Sequence, residues 1–377
     1  MANNYIISPS WQNDVTEATT GTLPTGDNSS MSNNTVSGMQ RLLQRNANAG
    51  QTFQNGIVSS YDLIVSGGGI FYYFEGGVLA PNGDIHFVPR ETQRGQKISA
   101  SGVVSTYSLV YTTYGGAYSG GVLAPNGDIH MIPSSATVGQ KISASGVVST
   151  YSLVYTTNSA YGGGVLAPNG DIHFVPSNAS VGQKVSASGV VSTYSLVYTN
   201  GNGAYAGGVL APNGDIHFVP GNANRGQKIN TNTGVVSTYS IIANSYIGGV
   251  LAPNGDIHFV PASAERGQKI SASGVVSTYS LVYTGFIAYR GGVLAPNGDI
   301  HFVPYFTPAG QKVSASGVVS TYSLVFTQAA MHSGGILAPN GDIHFIPNRG
   351  TLGQKISTNP AEPFGIGVCC SPFFNKF

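Results

Sequence analysis

Aspartate and histidine stand one residue apart in seven places: Asp84 with His86, Asp128 with His130, Asp171 with His173, Asp215 with His217, Asp256 with His258, Asp299 with His301 and Asp342 with His344. A carboxylate beside an imidazole is the pair that orients the base of a hydrolytic triad, and the same residue types ligate zinc. Both uses require several different side chains to converge on one cleft. Here the pair recurs inside a fixed phrase. GGVLAPNGDIH begins at Gly76, Gly120, Gly163, Gly207, Gly248 and Gly291, and GGILAPNGDIH at Gly334, spaced 41 to 44 residues apart. A repeat holds its histidines a whole unit apart, so the fourteen residues are expected to form a structural Asp-His network. In it each imidazole bonds a hydroxyl of the following STYS segment, and the Lys of GQK, such as Lys97 or Lys184, pairs with the Asp. His332, outside these pairs, is expected to be an incidental loop residue. With no Cys-His, paired-Glu or phosphate-loop arrangement, the chain reads as no enzyme, with no metal and no cofactor.

The elements that carry these pairs follow from one unit. From Gly163 the chain reads GGVLAP, Asn169-Gly170, DIHFVP, a short loop, VGQKVSA, a Ser-Gly turn and GVVSTYSLVYT. These are four short strands, a to d, rich in Val, Ile, Phe and Tyr. Asn-Gly between apolar runs signals a hairpin, expected to be type I′. A period near 43 residues without helical periodicity matches one propeller blade. Strand d follows six of the seven GGVLAP units, and the seventh unit stops at GQKIST. The missing copy, GIVSSYDLI from Gly56 to Ile64, stands before the first unit. The fold is therefore read as all-β, a seven-bladed β-propeller of four-stranded blades, with the ring closed by an N-terminal strand. The domains are a polar N-terminal arm (1–55), the propeller (56–358) and an apolar tail (359–377).

The repeat resembles a propeller family with bacterial, viral and protist members, whose blades carry a pattern of GGVLAPNG, then Ile, an aromatic residue and Pro. The resemblance spans Gly56 to Ser357. It implies the fold and no single shared activity.

Composition bounds the partners. A net charge of +1, with 16 Lys and Arg spread along the chain, gives no basic field for nucleic acid. Cys369 and Cys370 are adjacent and form no disulfide framework. The N-terminal MANNYIISPSWQND lacks a secretory pattern and no run is long enough for membrane insertion, so the chain is expected to be made in the cytoplasm.

The differences among copies are expected to mark use. The a-to-b turn is PNGD throughout, and the c-to-d turn is SASG in five of six copies, whereas the b-to-c and d-to-a loops vary. These two variable loop types share one face. Its large side chains, Phe71, Tyr72, Tyr73, Phe74, Tyr114, Tyr118, Tyr161, Tyr205, Tyr246, Phe286 and Tyr289, are read as an exposed interaction face for one asymmetric partner. The expected function is a non-enzymatic structural or interaction propeller of a virion, phage-like, a structural, decoration or fibre component that docks through this face and the terminal arm on other structural proteins of a larger assembly and on host surface glycan. The alternative is a multivalent lectin with seven equivalent sites on the symmetric face.

Overall fold

The computed structural model describes residues 58–65, 72–113, 115–327, 330–350 and 352–358. The N-terminal arm, the C-terminal tail, Phe71 and Tyr114 lie outside the described residues. Among the described residues, twenty-eight strands, β1 to β28 in chain order, form seven four-stranded antiparallel sheets. In blade 1, β2 (Phe74–Leu79), β3 (Ile85–Pro89), β4 (Arg94–Ile98) and β5 (Val104–Ser108) pair in sequence order.

The turn between strands a and b differs from the expected type I′. The Gly of each PNGD turn has positive φ, +85° at Gly83 and +83° to +86° in the other copies, while neither Pro nor Asn does. Proline fixes φ near −65°, which a type I′ turn excludes at its first central position. The loop is a type I turn with Pro81 and Asn82 at its centre, followed by a left-handed Gly83. Gly83 N–H bonds Ala80 O at 2.9 Å, and Asn82 Oδ1 accepts Asp84 N–H at 3.0 Å.

Ring closure is as expected. β1 (Val58–Asp62) runs antiparallel to β28 (Leu352–Ser357), with Val58 opposite Ile356 and Asp62 opposite Leu352. Blade 7 is thus completed from the far end of the chain, in the order β1, β28, β27 (Asp342–Pro347), β26 (His332–Leu337). No open ladder remains at that junction.

Strand b is buried along its whole length in every blade, because its two faces meet two neighbouring sheets. In the third blade Val165 and Val175 pack beside Tyr205, Phe218 and Ile229 of the fourth, and equivalent clusters fill the other seams. The Gln of each GQK adds a polar staple. Gln183, fully buried, accepts N–H groups from Val154 at 3.0 Å and Tyr155 at 2.8 Å in the preceding blade, and donates to Tyr155 O at 3.3 Å. The carboxamide oxygens of Gln96, Gln140, Gln227, Gln268, Gln311 and Gln354 make the same paired contact.

At the axis the first Gly of each GGVLAP faces its counterpart in the next blade. A Cβ added at Gly207 would lie 2.9 Å from Gly248 Cα, and at Gly334 3.1 Å from Gly76 Cα. Six of the seven also hold positive φ, from +79° to +136°. Only glycine permits both the dihedral and the approach.

Candidate interaction site

The Asp-His pairs separate into two structural contacts. Each Asp accepts a hydrogen bond from the Lys of strand c, at 2.5–2.7 Å in all seven blades. Each His turns to the Tyr of strand d: His130 Nδ1 lies 3.3 Å from Tyr151 Oη, and five other pairs lie at 3.2–3.5 Å. His86 and Tyr107 stack at 5.5 Å without that bond. Hydroxyl and lysine partners match expectation; one joined Asp-His network does not. Asp84 and His86 share a face, but Asp84 stands at the turn and reaches Lys97 at 2.6 Å, while His86 lies opposite Lys97 in register and points its ring toward Tyr107. Burial, helped by the nearby lysine charge, pushes the repeated imidazoles down to about 4, so they are neutral near pH 7. Among the described residues, no three His, Cys, Asp or Glu side chains gather as metal ligands.

Six residues assigned to an exposed face are core. Phe74, Tyr118, Tyr161, Tyr205, Tyr246 and Tyr289 are at most 1% exposed. Each begins strand a, where its ring packs beneath the loops, as Tyr161 does against Phe174 at 5.4 Å. The hydroxyl of each tyrosine then reaches a carbonyl at the entry to its own strand c, as Tyr246 Oη does to Arg266 O at 2.9 Å. Strand a begins with a ring wherever the loop above must be floored, so six of these rings belong to the repeat and not to the face. His332 fills the same place in blade 7, fully buried, with Nε2 3.4 Å from Gln354 Nε2, so it is no loop residue. Tyr72 and Tyr73 are half-buried and Phe286 is 75% exposed.

What differs among blades is the next residue. Between the aromatic and the axial Gly stand Glu75, Ser119, Gly162, Ala206, Ile247, Arg290 and Ser333. The a–b register shifts at this point in every blade, so the position is a bulge. It sits directly beside the glycine ring, at the mouth of the axis on the variable face. Ser119 and Ser333 bond the neighbouring blade, at Tyr161 O (2.6 Å) and Phe74 O (2.7 Å).

Glu75 and Arg290 meet across blade 7. Arg290 Nη2 lies 2.7 Å from Glu75 Oε1, and Arg90 Nη1 lies 2.5 Å from Glu75 Oε2. From this centre a chain of contacts runs both ways over one side of the face. Arg290 lies over the Tyr305 ring at 4.9 Å; Tyr305 meets Phe306 edge-on at 4.7 Å; Phe306 meets exposed Phe286 at 6.2 Å. In the other direction Arg90 and Arg349 lie over Tyr72 at 5.6 and 4.0 Å, and Glu91 accepts Tyr72 N–H at 3.0 Å. The result is an aromatic and guanidinium ridge across blades 6, 7 and 1. Blades 2 to 4 place only Ser119, Gly162 and Ala206 at the axis. Sequence patterning alone does not point to Arg290 or Tyr305, although Arg290 stands at the strand-a position that varies most, with six residue types in seven copies.

No protein-family model matches the sequence, and no curated protein matches it. Solved structures do. A streptogramin B lyase is similar with a TM-score of 0.71 and 20% identity, over 82% of this chain and 100% of that one. A catalytically inactive variant of virginiamycin B lyase from Staphylococcus aureus, with quinupristin, scores 0.70 at 16% identity, over 80% and 99%. The WD40 propeller domain of Doa1 scores 0.61 at 14% identity, over 80% and 98%. These identities carry the fold alone. They still overturn the expectation that the chain is no enzyme, which rested on repetition and on the lack of familiar catalytic motifs. A propeller of this shape carries a lyase, so seven like blades do not exclude a single catalytic centre.

Proposed function

We propose that the chain is an interaction propeller that seats one asymmetric partner on its variable face, against the ridge of blades 6, 7 and 1. One observation carries this reading: the framework is repeated nearly unchanged, while bulge and loop residues break the symmetry on one face and one side. Arginine and aromatic residues are also the types in which binding energy concentrates. Phe286 is the anchor, since a ring 75% exposed at the ridge's end gains most from being covered. The setting assigned to the partner is a larger assembly of virion type, on the sequence alone.

The test places a photoreactive phenylalanine at Phe286, and at Ser145 in a symmetric-face turn, in cells that produce the protein. A single crosslinked product from position 286 and none from 145 is the expected result. Equal crosslinking from both, or none from either, overturns the reading. Sedimentation of the crosslinked product with purified particles decides the setting.

A further inference from the structure

The opposite face carries a second feature, unrelated to the ridge. Between blades 7 and 1 a cavity of about 250 Å³ is lined by the Ser99–Gly102 turn, Gly83, Ile85 and Ile98 of one blade, and by Ala338, Pro339, Asn340, His344 and Lys355 of the other. We propose that this inter-blade cavity binds a single neutral sugar ring, and that the chain carries five such sites.

The lining defines the ligand class. Its one ammonium group, Lys355 Nζ, is already bonded to Asp342 Oδ2 at 2.5 Å. A charged ligand would have to compete with that pair, whereas a hydroxyl can accept from the ammonium's remaining N–H groups. Ser99 and Ser101 hold their hydroxyls 2.9 Å apart on the opposite wall. His344, bonded through Nδ1 to Tyr61 at 3.4 Å, has Nε2 as its other polar atom. Ile85, Ile98 and Ala338 supply an apolar wall for ring C–H groups. Sites for drug-sized ligands run to roughly 300–1,000 Å³, so this one suits a single hexose.

The number of sites follows from the turns. The paired serine hydroxyls recur at Ser143 with Ser145, Ser186 with Ser188, Ser271 with Ser273 and Ser314 with Ser316, which with Ser99 and Ser101 makes five. At each of these turns the blade before it presents the same Lys-Asp pair, at 2.5–2.7 Å. Two seams differ. The fourth blade has Thr231 and Asn232 in its turn, with Asn230 Nδ2 on Asp215 Oδ1 at 2.8 Å. In the seventh, Thr358 Oγ1 bonds Gly341 O at 2.6 Å, and the strand that follows in space, β1, comes from the other end of the chain.

The experiment counts bound sugar on the full chain by native mass spectrometry and ligand-observed NMR, with glucose, galactose, mannose and N-acetylglucosamine as probes and sialic acid as the charged control. One neutral sugar should reach five equivalents. Ser101→Phe, on an exposed turn, should reduce that to four, and Ser101→Phe with Ser145→Phe to three, at an unchanged melting temperature. Phe286→Ala, on the other face, should leave the count at five. Absence of binding by all four neutral sugars, a count that ignores both serine changes, or a preference for sialic acid overturns the proposal. A variant that melts early is replaced by Ser273→Phe or Ser316→Phe, read the same way.

Discussion

The Glu75–Arg290 contact joins residues 215 positions apart in the chain, on blades 1 and 6, and its coupling energy can be worked from the structure. The side chains are 13% and 19% exposed, so solvent screens the pair only partly. Unit charges about 4 Å apart attract by about 4 kcal/mol at an effective dielectric constant of 20. Withdrawing two ions from water opposes this by several kcal/mol, so a measured coupling of about 1–3 kcal/mol is expected. Glu75→Gln alone should cost more than the coupling, about 3 kcal/mol, because it also removes the nearer partner of Arg90, which keeps only Glu91 at 3.9 Å. The assay is a double-mutant cycle of Glu75→Gln and Arg290→Gln by urea unfolding, repeated at high salt. Partial burial predicts that most of the coupling survives there. Coupling below about 0.5 kcal/mol, the level at which independent sites add, would refute the pairing across blade 7. Coupling that vanishes in high salt would place both groups in open solvent and remove the ridge's centre.

Deleting residues 1 to 64 removes β1 and the whole ladder to β28, and should lower the unfolding midpoint cooperatively by calorimetry; a deletion melting like the parent would contradict the closure. Gln183→Leu leaves two N–H groups and a carbonyl of the preceding blade without their partner, at about 1 kcal/mol or more each, so urea unfolding should show a loss of roughly 3 kcal/mol. All eight histidines are buried, seven with pKa values lowered to about 4 and His332 to about 3. Their stabilising contribution is complete above the unfolded value near 6.5 and is lost as pH falls toward about 4, by up to about 1.4 kcal/mol per pH unit for each His. The urea midpoint should therefore fall already between about pH 6.5 and 5, well before carboxylates titrate; a midpoint flat across that interval would show the imidazoles solvated.

Blade number, strand order and closure were legible because they depend on period and on counting copies, which side-chain geometry does not alter. Residue placement was less so. Tyr161 and Phe286 both lie in or near a d-to-a connection, yet one is 1% exposed and the other 75%, and the difference is whether the ring begins strand a or stands in the loop before it. Boundaries of that kind are the weakest part of any pattern reading. In the PNGD turn Asn-Gly by itself points to type I′, and the Pro before it excludes positive φ at the first central position. The Gln staple has a signal in the sequence: Gln96, Gln140, Gln183, Gln227, Gln268, Gln311 and Gln354 stand in an invariant Gly-Gln-Lys while the residue before it varies, and an amide repeated seven times at a buried place needs partners. The Glu75–Arg290 pair had no such signal, since contact across a ring joins residues that no local pattern relates.

A ring of near-identical blades can still carry one unique site, and its geometry dictates where. Equivalent side chains of neighbouring blades move apart as radius increases, and only beside the glycine ring do residues two blades apart come within hydrogen-bonding reach, as Arg290 and Glu75 do at 2.7 Å. A substitution at strand b would disturb two packed seams. At the bulge it leaves the ladder intact, because the residue is already unpaired there, and its cost is set only by the side-chain contacts it makes, as at Glu75. Variation is therefore tolerated at the one position where different blades can combine their side chains into a single arrangement. This explains how Ser119, Gly162 and Ala206 leave one side of the mouth small while Glu75 and Arg290 charge the other. The same reasoning shows why repetition is no argument against a unique binding or reactive centre: repetition governs the blade bodies, and such a centre needs only a few of the bulge and loop residues that repetition leaves free.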